Sequence, residues 1–128
     1  MEIAGRFLVT AFFAIVFGQS ALDKWFDREG NLSYLRDHFK SSPLPPELVG
    51  PILSLLTAIE GLAALLCALG LVFFSWRNPG YNLASCGVAL SGFALVSLII
   101  GQRLAKDYAG AAVVASYFAV ALVGLLLF

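Results

Sequence analysis

Charge is scarce in this chain. Lysine, arginine, aspartate and glutamate make up only 12% of its 128 residues, and their formal charges cancel. No basic run or basic–aromatic interleaving is present to signal a nucleic-acid partner. Histidine and methionine are scarcer still: His38, in a polar stretch, and Met1 are the only ones, which leaves no intramembrane ligand for a haem. The two cysteines, Cys67 and Cys86, form no CxxC pair. They are too few for an iron–sulfur cluster and not spaced for zinc or for a thioredoxin-like couple. No metal site and no covalent cofactor are expected.

Apolar residues are abundant instead. They reach 60% of the chain, with a mean hydropathy of +0.89, more than a water-soluble domain of this size can cover, so the solvent for most of the surface is lipid. The expected fold is all-α, an integral membrane four-helix bundle with one amphipathic surface helix between the first two spans. The spans read as 3–22, 51–74, 83–101 and 109–128, in a single domain. An apolar core followed by Gly18, Gln19 and Ser20 also resembles a signal peptide, but Asp23, Lys24 and Trp25 form an interfacial stop that suits a retained span. Small residues Ala84, Ser85, Gly87, Ser91 and Gly92 punctuate the third span and permit close helix approach.

The large polar loop, 23–49, holds most of the charge. Asn31 is placed to cap a short helix through Lys40, with Leu32, Leu35 and Phe39 on one side. That helix either lies on the membrane surface, where these three residues dock a partner, or packs as a lid on the bundle end. The prolines of Pro43-Leu44-Pro45-Pro46 end it. Four spans put both termini on one side, and Lys24, Arg28, Arg36, Lys40, Arg103 and Lys106 face Arg6 and Arg77 across the membrane. This bias favours a cytoplasmic large loop with both termini outside, and the plain four-span chain fits a bacterial inner membrane. Gly18-Gln19 and Gly101-Gln102 close the first and third spans alike, a faint echo of two related helix pairs.

One acid interrupts the second span. A carboxylate near bilayer depth costs roughly 2.5–3.5 kcal/mol on insertion scales, so Glu60 needs partners from other spans. Gln19 lies on the same side, Ser116 and Tyr117 at comparable depth in the fourth span, and Lys24, Arg103 and Asp107 at the rim. Together they outline a ligand or proton pocket in which Glu60 is the candidate catalytic carboxyl. The competing reading is a protonated Glu60 that hydrogen-bonds across helices as packing glue. Cys67 and Cys86 are within geometric reach of each other, although inert packing is the commoner fate of such thiols. Arg6 and Arg77 either bind an anion together or snorkel separately to the interface.

Several of these stretches resemble one family. A first span beginning near Arg6, the run SALDKWF at Ser20–Phe26 with Lys24, the turn Pro43-Leu44-Pro45, and IEGLAALLCALGL at Ile59–Leu71 with Glu60 are similar to DoxX-type membrane proteins. The resemblance covers nearly the whole chain and is best from Arg6 to Gly70. It implies a compact four-helix membrane bundle. It also implies a link to membrane redox assemblies, since the family takes its name from a subunit of a thiosulfate:quinone oxidoreductase. Arg6, Lys24 and Glu60 match the family's recurrent polar residues. Ala21 stands where glycine is usual, the first span is about a turn longer, and the Thr-Arg after the second span is missing.

Two functions follow as expectations. One is a non-catalytic accessory subunit of a redox or quinone-linked membrane complex, with membrane lipid and other membrane subunits as partners. The other is an oxidoreductase subunit that binds a small molecule, a quinone or a sulfur anion, with Glu60 handling a proton. A lipid is the remaining candidate ligand, and a transporter is disfavoured by the absence of broken helices or a clear inverted repeat.

Overall fold

Asp27 divides the first helix from the second. In a computed structural model that describes residues 1–128, α1 runs Glu2–Phe26 and α2 runs Arg28–His38. The Asp27 N–H donates to Asp23 O at the end of α1, while its carboxylate accepts from Gly30 N at 3.3 Å to start α2. The expected cap, Asn31, lies inside the helix instead, and its Nδ2 donates back to Asp27 O at 2.8 Å. Asp27 wins because the side chain that precedes the first turn is the one that reaches the orphan donors. Asp23, Lys24 and Trp25 do not stop α1, because charged residues at an interface leave helical hydrogen bonding intact.

After α2, Ser42 folds the chain over, donating to Phe39 O at 2.9 Å and accepting from Leu44 N at 3.2 Å. A 3₁₀ turn at Pro46–Leu48 leads directly into α3, Val49–Val72. Pro51 falls in the first turn of α3, where a missing N–H is tolerated. The helix ends two residues earlier than the hydropathy implies, since Phe74 takes a left-handed φ of 58°. Ser75 then closes the hairpin, accepting from Ala84 N at 3.0 Å. Asn82 and Ser85 form a reciprocal capping box for α4, Leu83–Leu104. This helix continues past Gly101, so the connection to α5 shrinks to Ala105–Asp107, and Asp107 caps α5, Tyr108–Leu126, through Gly110 N at 2.9 Å.

Small residues set how closely these helices pack. A Cβ on Gly70 would stand 2.8 Å from Ala84 Cα, and one on Gly87 would stand 2.6 Å from Cys67 Sγ. The backbones of α3 and α4 therefore touch where the sequence has glycine. A Cβ on Gly124 would meet Val9 Cγ2 at 2.6 Å, so α5 leans on α1 by the same device. Phe13, Phe17, Cys67, Val88, Leu95 and Ala121 join the four long helices in one core. Cys67 and Cys86 are free thiols, Cys67 being packed in that core.

The outward faces of the four long helices are apolar as well. Ile15, Leu65, Phe93, Val123 and Leu126 are all more than half exposed. A water-soluble protein rarely shows so continuous an apolar surface. Four helices are long and apolar enough to cross a membrane, Glu2–Phe26, Pro46–Val72, Leu83–Leu104 and Tyr108–Leu126.

At the end where α5 finishes, Arg6 is 5% exposed. Its Nε donates to Leu127 O at 2.7 Å and its Nη1 to Arg77 O at 3.1 Å, with Glu2 Oε2 at 3.5 Å from Nη2. The side chain turns into the fold and does not snorkel, and its guanidinium does not meet that of Arg77. Arg77 is exposed and lies over the rings of Phe74 and Trp76; what it gives to Arg6 is its carbonyl. Arg6 thus satisfies two carbonyls, one just past α5 and one in the α3–α4 turn, that no helix partner reaches.

Candidate ligand and proton site

The acid lies deeper in the bundle. Glu60 sits in the middle of α3 and is fully buried. What brings other polar groups to it is the uninterrupted course of α1, which places Ser20 and Lys24 four residues apart on one helix face. Ala21 and Gly61 keep α1 close to α3 here: a Cβ at Gly61 would rest 3.8 Å from Ala21 Cβ. Glu60 Oε2 accepts from Ser20 Oγ at 2.8 Å and lies 3.1 Å from Lys24 Nζ, which itself donates to Ser20 Oγ at 2.6 Å. Glu60 Oε1 has no partner. One carboxylate oxygen is doubly engaged and the other is left bare, at a cost of about 1–3 kcal/mol for a buried acceptor.

Lys24 connects this triad to a cavity of about 270 Å³ bounded by the end of α1, by α2, α3 and α4. Leu35, Phe39, Ile52, Leu56 and Ile59 supply apolar walls, while Tyr34, His38 and Gln102 add polar groups. Glu60 itself does not line the cavity; Lys24, bound to it, does. Gln102 Oε1 is a second buried acceptor without a partner.

The roof is α2. It is fastened at one end by Arg28, whose Nη2 donates to Ser54 Oγ at 2.8 Å and to Gly50 O at 3.3 Å. At the other end His38 Nε2 stands 3.8 Å from Asp107 Oδ2. Leu35 and Phe39 line the cavity and Leu32 approaches Gly50, so the residues expected to dock a partner lie against this chain.

Of the expected pocket, only Lys24 and Glu60 come together. Gln19 is exposed on the far side of α1, in a shallow groove with Asp23 and Phe26. Ser20, one residue on and 100° round the helix, takes the place foreseen for it. Arg103 is exposed and stacks over Tyr108 at 4.7 Å, and Asp107 caps α5 and faces His38. Ser116 donates to Val113 O of its own helix at 2.6 Å, and Tyr117 packs edge-on to Phe12 at 5.8 Å. Both are exposed on the outer face of α5. Sequence reasoning missed Ser20 and Gln102. The signal for Ser20 was its position one turn before Lys24, which is legible only once α1 is known to continue.

No family model, curated protein or solved structure matches this chain. The chemistry therefore rests on the residues alone. A buried acid and a half-buried amine 3.1 Å apart, bridged by a hydroxyl, can pass a proton without movement of any heavy atom. The amine also reaches a cavity open to a small molecule.

Proposed function

We propose that this chain is a DoxX-like four-span bundle of a bacterial inner membrane that binds the head of a quinone-class amphiphile beneath α2, as one component of a redox-linked membrane assembly. Lys24 contacts the ligand, and Glu60 takes or returns the proton that accompanies its reduction or oxidation. The large loop carrying α2 faces the cytoplasm in this reading. The observation that carries it is the Glu60–Lys24 pair, buried to its last oxygen yet joined to a cavity through the lysine. A volume of about 270 Å³ lies near the small end of the usual ligand range, ~300–1,000 Å³, which suits a ring-sized head with its tail outside. The only lysine in the cavity is already neutralised by Glu60, so an uncharged ring is favoured over a sulfur anion.

The test is a titration of the full chain in nanodiscs with a short-chain quinone, read as saturable binding. Wild type is expected to bind one equivalent, and Leu35→Trp, which fills the cavity from its roof, is expected to weaken binding at least tenfold while helicity stays unchanged. Absence of saturable binding, or equal binding by Leu35→Trp, contradicts the reading.

The accessory-subunit role has its own support. Ala109, Ala112, Ser116 and Ala119 are exposed along one face of α5, and small residues of this kind let a second transmembrane helix approach closely. Ala112→Leu and Ala119→Leu should release a protein partner that co-purifies in mild detergent; a chain that purifies alone removes this role and leaves the quinone site standing.

A further inference from the structure

A second recess lies on the other side of Lys24. It is a groove of about 550 Å³ between α1 and α3, separate from the cavity beneath α2, and its lining includes Lys24, Trp25, Arg28, Ser54, Thr57 and Ala58. We propose that this groove holds one anionic membrane phospholipid, with its phosphate on Arg28 and an acyl chain laid along α3. The proposal rests on α1 and α3 being membrane spans. It does not depend on any ligand beneath α2.

Charge is the first argument. Both ionisable side chains lining the groove are cations, Lys24 and Arg28. The acids of the same stretch, Asp23 and Asp27, line the separate shallow groove with Gln19. Lys24 already serves Glu60 and Ser20, so the net positive charge comes from Arg28. Its Nη2 is committed to Ser54 Oγ and Gly50 O, which hold the guanidinium in place, while Nε and Nη1 make no protein hydrogen bond. A pre-positioned guanidinium with free donors is a good receptor for a phosphate.

The second argument is the polarity gradient along α3. Ser54 and Thr57 stand at the cationic end, and Ala58, Gly61 and Leu62 follow toward the middle of the helix. These positions recur at helical spacing, so they form one strip that passes from hydroxyl to hydrocarbon as a phospholipid does. Gly61 and Ala58, with Ala21 opposite, leave the strip recessed. Trp25 is 75% exposed beside the cations, a placement typical of indoles at headgroup level. Basic recesses between transmembrane helices on the cytoplasmic side are suited to anionic headgroups.

The test is native mass spectrometry of the full chain released into mild detergent from nanodiscs of equal phosphatidylcholine and phosphatidylglycerol. One retained lipid is expected, enriched about fivefold in phosphatidylglycerol, the factor that one interfacial cation supplies. Arg28→Gln should abolish the enrichment, and Arg28→Lys, which keeps the charge but loses the fork held by Ser54 and Gly50, should lower it without abolishing it. Ala58→Leu should fill the strip and expel the lipid without changing quinone binding. Equal retention of the two lipids, enrichment that survives Arg28→Gln, or a lipid that remains in Ala58→Leu overturns the site. Excess inorganic phosphate should leave the retained lipid in place; displacement by it would assign the recess to a small anion and overturn the lipid. Release of the chain from membranes by alkaline carbonate would overturn the membrane reading itself, whereas a chain that resists carbonate and shows no headgroup preference overturns the lipid site alone.

Discussion

Arg6, at one end of the bundle, and Glu60, in the middle of α3, are both buried, and they are built differently. Arg6 uses all three of its nitrogens, on Leu127 O, Arg77 O and Glu2. Two of those acceptors are main-chain carbonyls, fixed by the helix and turn that carry them. Glu60 uses one oxygen twice and the other not at all. Its cation sits on a long flexible side chain that also borders a cavity. Burial of a charge is therefore a poor guide to function taken alone. The two sites differ in what remains unsatisfied and in what lies beside it: Arg6 is a bracket that closes one end of the fold, and Glu60 keeps a free oxygen and a lysine that borders a cavity.

Arg6 and Glu60 should differ most in how their loss affects stability. Arg6→Met removes two charge-assisted bonds to carbonyls that no other group reaches, each worth ~1.5–3 kcal/mol. It should destabilise the chain by about 3 kcal/mol or more in thermal unfolding in detergent, and no second substitution should rescue it, because the orphaned partners are backbone. Lys24→Met leaves a buried carboxylate alone and should also be costly, by roughly 3 kcal/mol. Here rescue is expected: Lys24→Met with Glu60→Met should return most of the lost stability, since a buried ion pair replaced by apolar side chains is often neutral. Rescue at Arg6, or none at Glu60, would erase the distinction.

Glu60→Gln sharpens the contrast with a smaller effect. The amide still accepts from Ser20, and Lys24, in the last turn of α1, can extend its ammonium to the interface. A loss of about 1 kcal/mol is expected, accompanied by loss of any proton uptake or release on quinone binding. The smallest effect belongs to the roof. His38→Ala removes a partly exposed contact of 3.8 Å to Asp107 and should cost well under 1 kcal/mol, yet hydrogen exchange in α2 should quicken. Unchanged exchange would mean that Arg28 alone holds the roof.

The four long helices were legible in the sequence because a run of apolar residues long enough to cross lipid leaves little alternative. Helix ends were less so. Asp23 and Lys24 read as a stop when they are part of α1, and Asn31 competed with Asp27 for a cap that both side chains can form. The angular placement of the polar residues was the least legible. A helix apolar nearly all round gives no phase, so depth could be estimated while direction could not. Gln19 is the more polar of two neighbours, yet Ser20 faces the acid; Ser116 and Tyr117 have the right depth on the wrong face. The place of Arg6 is not legible because two of its partners are carbonyls, and backbone acceptors leave no mark in a sequence.

The proposed function requires that the Glu60–Lys24 pair serve a ligand more than it serves the fold. The most direct test is quinone titration of the Lys24→Met, Glu60→Met double variant in nanodiscs, beside its unfolding temperature. The account predicts a chain about as stable as wild type that no longer binds the quinone. A double variant that binds as wild type does, or that fails to fold, would contradict it and return Glu60 to the same structural role as Arg6.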